Sequence, residues 1–199
     1  MKKIYKIIYT FFLMVLFLLA LGCAGAPKYS KIYPTEKVFH PRKIVALPSI
    51  TEHLETTGVC LDELIVTSLQ KKGVFDHVLE SYTIKSYLQS DTDLYASVED
   101  LLNKLSDSDT CPAELAQQIT KKLDVEAILV TGVTDWSYGT PKEEKIAKTG
   151  LWFKLINPST GKIYWDARHA IEKKYSFKKP PLCDMSKELI EELFNEMPL

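Results

Sequence analysis

The chain has 199 residues, of which 46% are apolar, 26% charged and 11% aromatic, a globular composition that excludes a disordered, collagenous or polytopic membrane protein and fits one domain. The net charge of −1 is unevenly spread: residues 1–22 carry Lys2, Lys3 and Lys6 and no acid, so the rest holds 22 bases against 26 acids, a net of −4 over 177 residues. With two arginines, Arg42 and Arg168, and no run of bases longer than a pair after Lys6, the chain lacks the positive stripe a phosphate backbone requires, which argues against nucleic acid as a partner.

The chain opens on a basic start, an apolar run from Ile7 to Leu21 broken by Thr10, and the small pair Gly22-Cys23. At 15 residues the run is short of the roughly 20 a spanning helix needs, so the layout is that of a cleaved secretory signal. Its tail, Leu19-Ala20-Leu21-Gly22-Cys23, resembles the lipobox of bacterial lipoproteins, with Ala20 and Leu21 in the reverse of the usual order. The resemblance implies cleavage after Gly22, a diacylglycerol thioether on Cys23 and acylation of the new amino group. Two or three acyl chains anchor a protein to a membrane far more durably than one. Residue 24 is alanine, not the aspartate associated with inner-membrane retention, which implies a periplasm-facing place on the outer membrane.

Residues 23–41 hold three prolines and no sustained period, so they read as a lipidated tether, reaching on the order of 25 Å on average and about 60 Å when extended. Residues 42–199 then read as a single periplasmic domain. Lys43 to Leu47 is a continuous aliphatic run, the pattern of a strand buried on both faces. After a polar loop over 49–58, Leu61, Leu64, Ile65 and Leu69 recur at helical spacing up to Gly73, a glycine suited to end a helix. Val74 to Glu80 reads as a second strand, parallel to the first because a helix joins them.

Three helical segments follow, over 82–88, around Val98 to Leu105, and from Leu115 to Leu123. Ala127 to Val133 reads as the third strand, and Trp136-Ser137-Tyr138 leads to a polar tip over 139–145. Lys148 to Ile156 and Lys162 to Lys173 alternate about the turn Asn157-Pro158-Ser159-Thr160-Gly161, which predicts an antiparallel hairpin. The charges Asp166, Arg168, Glu172 and Lys173 suit a solvent face or a protected edge. Pro180-Pro181 breaks the chain before an amphipathic helix through Met185, Leu189, Ile190, Leu193 and Met197. The expected fold is a small three-layer α/β domain: a mixed five-stranded sheet, three parallel strands plus a hairpin, with helices on both faces.

Four of these segments together carry a resemblance: IVALPSI, the helix ending Leu69-Gln70-Lys71-Lys72-Gly73-Val74-Phe75, Asp124-Val125-Glu126-Ala127-Ile128-Leu129-Val130-Thr131-Gly132, and Pro158-Ser159-Thr160-Gly161-Lys162-Ile163-Tyr164-Trp165. They resemble periplasmic lipoproteins and modules that include the curli secretion lipoprotein, the lipoprotein activators of penicillin-binding proteins, the amino-terminal domain of the Tol translocation protein and surface-antigen lipoproteins. The resemblance spans roughly residues 42 to 175 and implies a binding or assembly module without catalysis or cofactor. Its partner would be an envelope protein, or a second copy in a secretion or transport ring. The segments 136–149 and 91–109 are too short and polar for the lipid-facing strands of a pore.

Signatures of nucleotide, zinc and calcium sites and of a hydrolase nucleophile are absent. His40, His53, His77 and His169 show no metal-ligand spacing, so no metal is expected. Glu52-His53-x-Glu55 reads first as a solvated loop, with an acid/base group of an envelope hydrolase as its chemical alternative. If the five strands lie in the order 2-1-3-4-5, this loop borders the switch point where α/β sheets bind ligands. Trp136 and Tyr138, with Trp152, Tyr164 and Trp165, read as core packing or as an aromatic contact face. In an oxidising compartment Cys60, Cys111 and Cys183 allow one disulfide or three free thiols. All three precede or open helices expected to start at one end of the sheet, so the pairing stays open. Opposite-face crossovers count against Cys60 with Cys111.

Overall fold

A computed structural model describes residues 28–33, 39–50, 55–108 and 111–199. In chain order the elements are β1 (Tyr29–Ile32), β2 (Lys43–Ala46), α1 (Glu55–Lys72), β3 (His77–Leu79), α2 (Ser81–Ser90), α3 (Thr92–Ser108), α4 (Ala113–Leu123), β4 (Ala127–Gly139), β5 (Ile146–Asn157), β6 (Lys162–Lys174) and α5 (Leu182–Phe194), with a 3₁₀ turn over Pro141–Glu143. The sheet order is β1-β6-β5-β4-β2-β3. β2 is parallel to β3 and β4, whereas β4, β5, β6 and β1 alternate in direction.

β2 explains the layering. Ile44 and Ala46 point to one face, Val45 and Leu47 to the other, and all four are buried. On the first face the stripe Leu61, Ile65, Val66 and Leu69 of α1 and Leu189, Ile190, Leu193 and Phe194 of α5 close over Leu151, Phe153, Leu155 and Trp165. On the second, Leu94, Val98, Leu101 and Leu105 of α3 and Ala116, Ile119 and Leu123 of α4 close over Val45, Ile128, Val130 and Ile156. Covered on both sides, the stretch from Ile44 to Leu47 has no position for a charge, hence the unbroken aliphatic run after Lys43. Among the described residues, the buried members of both cores begin at Ile44.

Among the described residues the sheet has six strands, not five. The sixth, β1, lies inside the segment read as tether. Trp165 is fully buried, stacked on Phe153 at a centroid distance of 6.3 Å and edge-on to Phe194 at 6.4 Å. Its indole N–H needs an acceptor, and Ser30 Oγ of β1 supplies one at 3.1 Å. Lys28 Nζ, 2.8 Å from Glu196, holds the start of β1 to the end of α5. Consequently β6 is not an edge over Trp165–Arg168, and Asp166, expected on a solvent face, is 7% exposed beneath β1.

Other departures are local. α1 begins at Glu55, within the loop expected over 49–58, because its first turns carry no apolar residue at core spacing. β4 continues to Gly139, and a bulge between Val133 and Asp135 flips the alternation, so Trp136 and Tyr138 share the α5 face with Leu129 and Thr131. α4 does not run back along the sheet as a crossover helix should. Gln117 donates to Ser159 O, and an added Cβ on Gly161 would lie 2.5 Å from Cys111 O. Both ends of α4 therefore sit beside the β5–β6 turn and the start of β4. That places Cys111 at the opposite end of the sheet from the starts of α1 and α5, against the expectation of three helix starts together.

Candidate functional site

The end of the sheet where β2 finishes and the β4–β5 hairpin projects gathers Cys60, Cys183, Trp136 and Tyr138 of the sequence-derived candidates. β2 leads through Pro48 and Ser49 to Ile50, which pairs with Gly132 of β4 by Ile50 N to Thr131 O at 2.8 Å and Val133 N to Ile50 O at 3.2 Å. Asp62 of α1, 7% exposed, fixes this exit. Its Oδ1 accepts from Ser49 N and Oγ at 3.0 and 2.8 Å, and Lys85 Nζ lies 3.5 Å from Oδ2. With both oxygens engaged, Asp62 positions the loop. A carboxylate beside Leu61 on a helix facing a sheet was the signal for it.

Glu52 and His53 lie outside the described residues. Glu55 is the first residue of α1, and its side chain is also outside them. Gly22 and Cys23 are outside as well. Among the described residues no group of three His, Cys, Asp or Glu side chains converges on a metal-sized space.

Cys60 and Cys183 are joined in a disulfide, which clamps the first turns of α1 to the start of α5. Next to it Ser186 Oγ of α5 meets Thr149 Oγ1 of β5 at 2.8 Å, both buried, and donates to Leu182 O. Cys111 is a free thiol, and burial pushes it up to about 11.

The two aromatic candidates part company. Trp136 is half-buried between the α5 core and the small cluster of Ala147, Leu182 and Met185, so its main role is packing. Tyr138 is 40% exposed. Its hydroxyl donates to Pro180 O at 2.8 Å, its ring meets Tyr175 edge-on at 6.1 Å, and Lys179 Nζ stands 4.7 Å above it. Tyr138 thus pins the loop 175–181 to the hairpin tip. Tyr175 N to Lys145 O at 3.0 Å and Lys145 Nζ to Ser176 O at 3.4 Å complete the attachment.

A second surface was missed. On the α3 and α4 side of the sheet, the rows Trp152, Arg168, Tyr29 and Lys154, Asp166, Lys31 run across β5, β6 and β1 in register. Trp152 lies over Gly132, where an added Cβ would stand 2.1 Å from the indole. Lys154 Nζ sits 5.0 Å over Trp152 and donates to Leu105 O, and Arg168 sits 5.4 Å over Tyr29. The alternation Leu151-Trp152-Phe153-Lys154 placed Trp152 and Lys154 together, but β1, which completes the rows, was unseen.

No family model matches the chain. No curated protein matches it either. Solved structures do. PelC of Paraburkholderia phytofirmans, a dodecamer, superposes with a TM-score of 0.53 over 85% of this chain and 96% of its own at 15% identity. The lipoprotein GNA1162 of Neisseria meningitidis gives 0.54 over 78% of this chain and 100% of its own at 13% identity. The hypothetical protein CT253 of Chlamydia trachomatis gives 0.51 over 77% and 93% at 12% identity. At these identities the likeness is one of fold, and the chain has the α/β fold of proteins that include a bacterial lipoprotein, the class that its four motifs resemble.

Proposed function

We propose that this chain is a lipid-anchored lipoprotein of the bacterial outer membrane, acylated on Cys23, whose α/β domain is a non-catalytic binding or assembly module of the envelope. One observation carries the reading: an apolar run ending in Gly22-Cys23 stands five residues upstream of a domain with the fold of the lipoprotein GNA1162. Tethering is the mechanism. An anchored domain searches a thin shell, and a weak contact gains from the raised local concentration. The test is fractionation of membranes on a density gradient. Wild type bands with the outer membrane, whereas Cys23→Ser keeps its leader and bands with the inner membrane; identical banding of the two refutes the reading.

PelC, of the same fold, is a dodecamer, and this favours a second form of the proposal in which the partner is further copies of this chain. A secreted form that begins at Ala24, without acyl chains, distinguishes the two. Oligomers by light scattering at micromolar concentration support a ring, and a monomer excludes it.

A further inference from the structure

We propose that the hairpin tip and the 175–181 loop form a membrane-seating surface that rests on the headgroups of anionic phospholipid; this builds on acylation of Cys23. Direction comes first. β1 is antiparallel to β6, with Tyr29 opposite Arg168 and Ile32 opposite Trp165, so the first residue of β1 points along β6 toward Lys174. Length comes second. Six steps separate Cys23 from Tyr29, a reach of about 20 Å at most. Six steps along β6, from Arg168 to Lys174, also cover about 20 Å. The lipid surface at Cys23 therefore lies no farther from β1 than the tip itself, and the domain cannot stand clear of it. The leash of eighteen residues expected from sequence is shortened to five by β1.

The chemistry at that end fits the surface it meets. Phe177 is wholly exposed, on a loop held by Tyr138, Lys145 and the Pro180-Pro181 pair, so an apolar ring is held out in water by a fastened segment. Lys145, Lys174, Lys178 and Lys179 lie on the same two segments, all exposed, with Lys174 Nζ 2.7 Å from Glu144. Across residues 139–145 and 174–181 the sequence has five lysines and two acids, a net of +3 in a mature chain of −4. An aromatic ring at headgroup depth, flanked by long cationic side chains that lie along the interface, is the composition that peripheral membrane contacts use. Attraction to an anionic surface contributes roughly fivefold in binding per lysine.

The test replaces Phe177 with Trp and follows quenching of its fluorescence by vesicles of phosphatidylethanolamine and phosphatidylglycerol with brominated acyl chains. Thr160→Trp, in the β5–β6 turn at the other end of the sheet, is the reference. Two proteins are compared: the membrane-extracted full chain, its acylation checked by mass, and the secreted form from Ala24. Quenching at position 177 and not at 160 is expected in both. In the secreted form the lipid concentration for half-quenching should rise about 25-fold when Lys178→Gln and Lys179→Gln are combined. Equal quenching at 177 and 160, none at 177, or protection of 177 by a second protein in place of lipid overturns the proposal. Absence of acyl mass with quenching intact in the secreted form refutes the anchor and leaves the surface standing.

Discussion

Gly132 and Trp152 fix the packing of the sheet's second face one atom at a time. The indole occupies the space that any side chain at position 132 would need, so an added Cβ must displace it. Gly132→Ala should cost about 1–3 kcal/mol by urea denaturation. In a double-mutant cycle Trp152→Ala should remove most of that cost, since the clash has gone. Sequence showed Gly132 within a motif but not its reason, because the partner is twenty residues on and across a strand pair. Cys111 offers a second check. With the thiol raised from about 9 to about 11 by burial, its thiolate fraction at pH 8 falls on the order of a hundredfold, and alkylation should slow accordingly relative to the unfolded chain. A raised acid stabilises the protein fully below the unfolded value and loses that contribution as pH rises through the folded one. Stability should therefore decline between about pH 9 and 11, and Cys111→Ala should flatten that decline.

Among the elements, those with long apolar runs were legible and those defined by partners were not. β2, the first seven residues of β4, and the β5–β6 hairpin follow from composition and turn residues. If the five expected strands are numbered alone, their observed order is 2-1-3-4-5. β1 escaped because four residues, Tyr-Ser-Lys-Ile, are too few to show alternation, and its reason lies in the buried indole of Trp165. The run of α4 across the end of the sheet escaped because periodicity identifies a helix but not its direction. The 52–55 loop, singled out from sequence, lies largely outside the described residues. The disulfide links two elements 123 residues apart, a closure that restricts the unfolded chain. Replacing Cys60 and Cys183 together by serine should lower stability by about 2–4 kcal/mol. Reductant should produce the same loss in wild type and no further loss in that double variant, as read by denaturation midpoints.

For the whole molecule the distribution of charge and the length of the leash matter more than any single contact. Cut before Cys23 as proposed, the chain is acidic overall but carries a local net of +3 across residues 139–145 and 174–181, at the end of the sheet toward which β1 points at Tyr29. In the proposed seating, the faces of the helices and the sheet surface around Trp152 and Arg168 point sideways or away from lipid. That arrangement follows only if the mature protein starts at Cys23, and intact mass of the protein extracted from membranes decides the matter most directly. The mass should correspond to residues 23–199 plus a diacylglyceryl group, with or without one further acyl chain. A chain that still carries Met1, or one cut elsewhere and free of added mass, would contradict it.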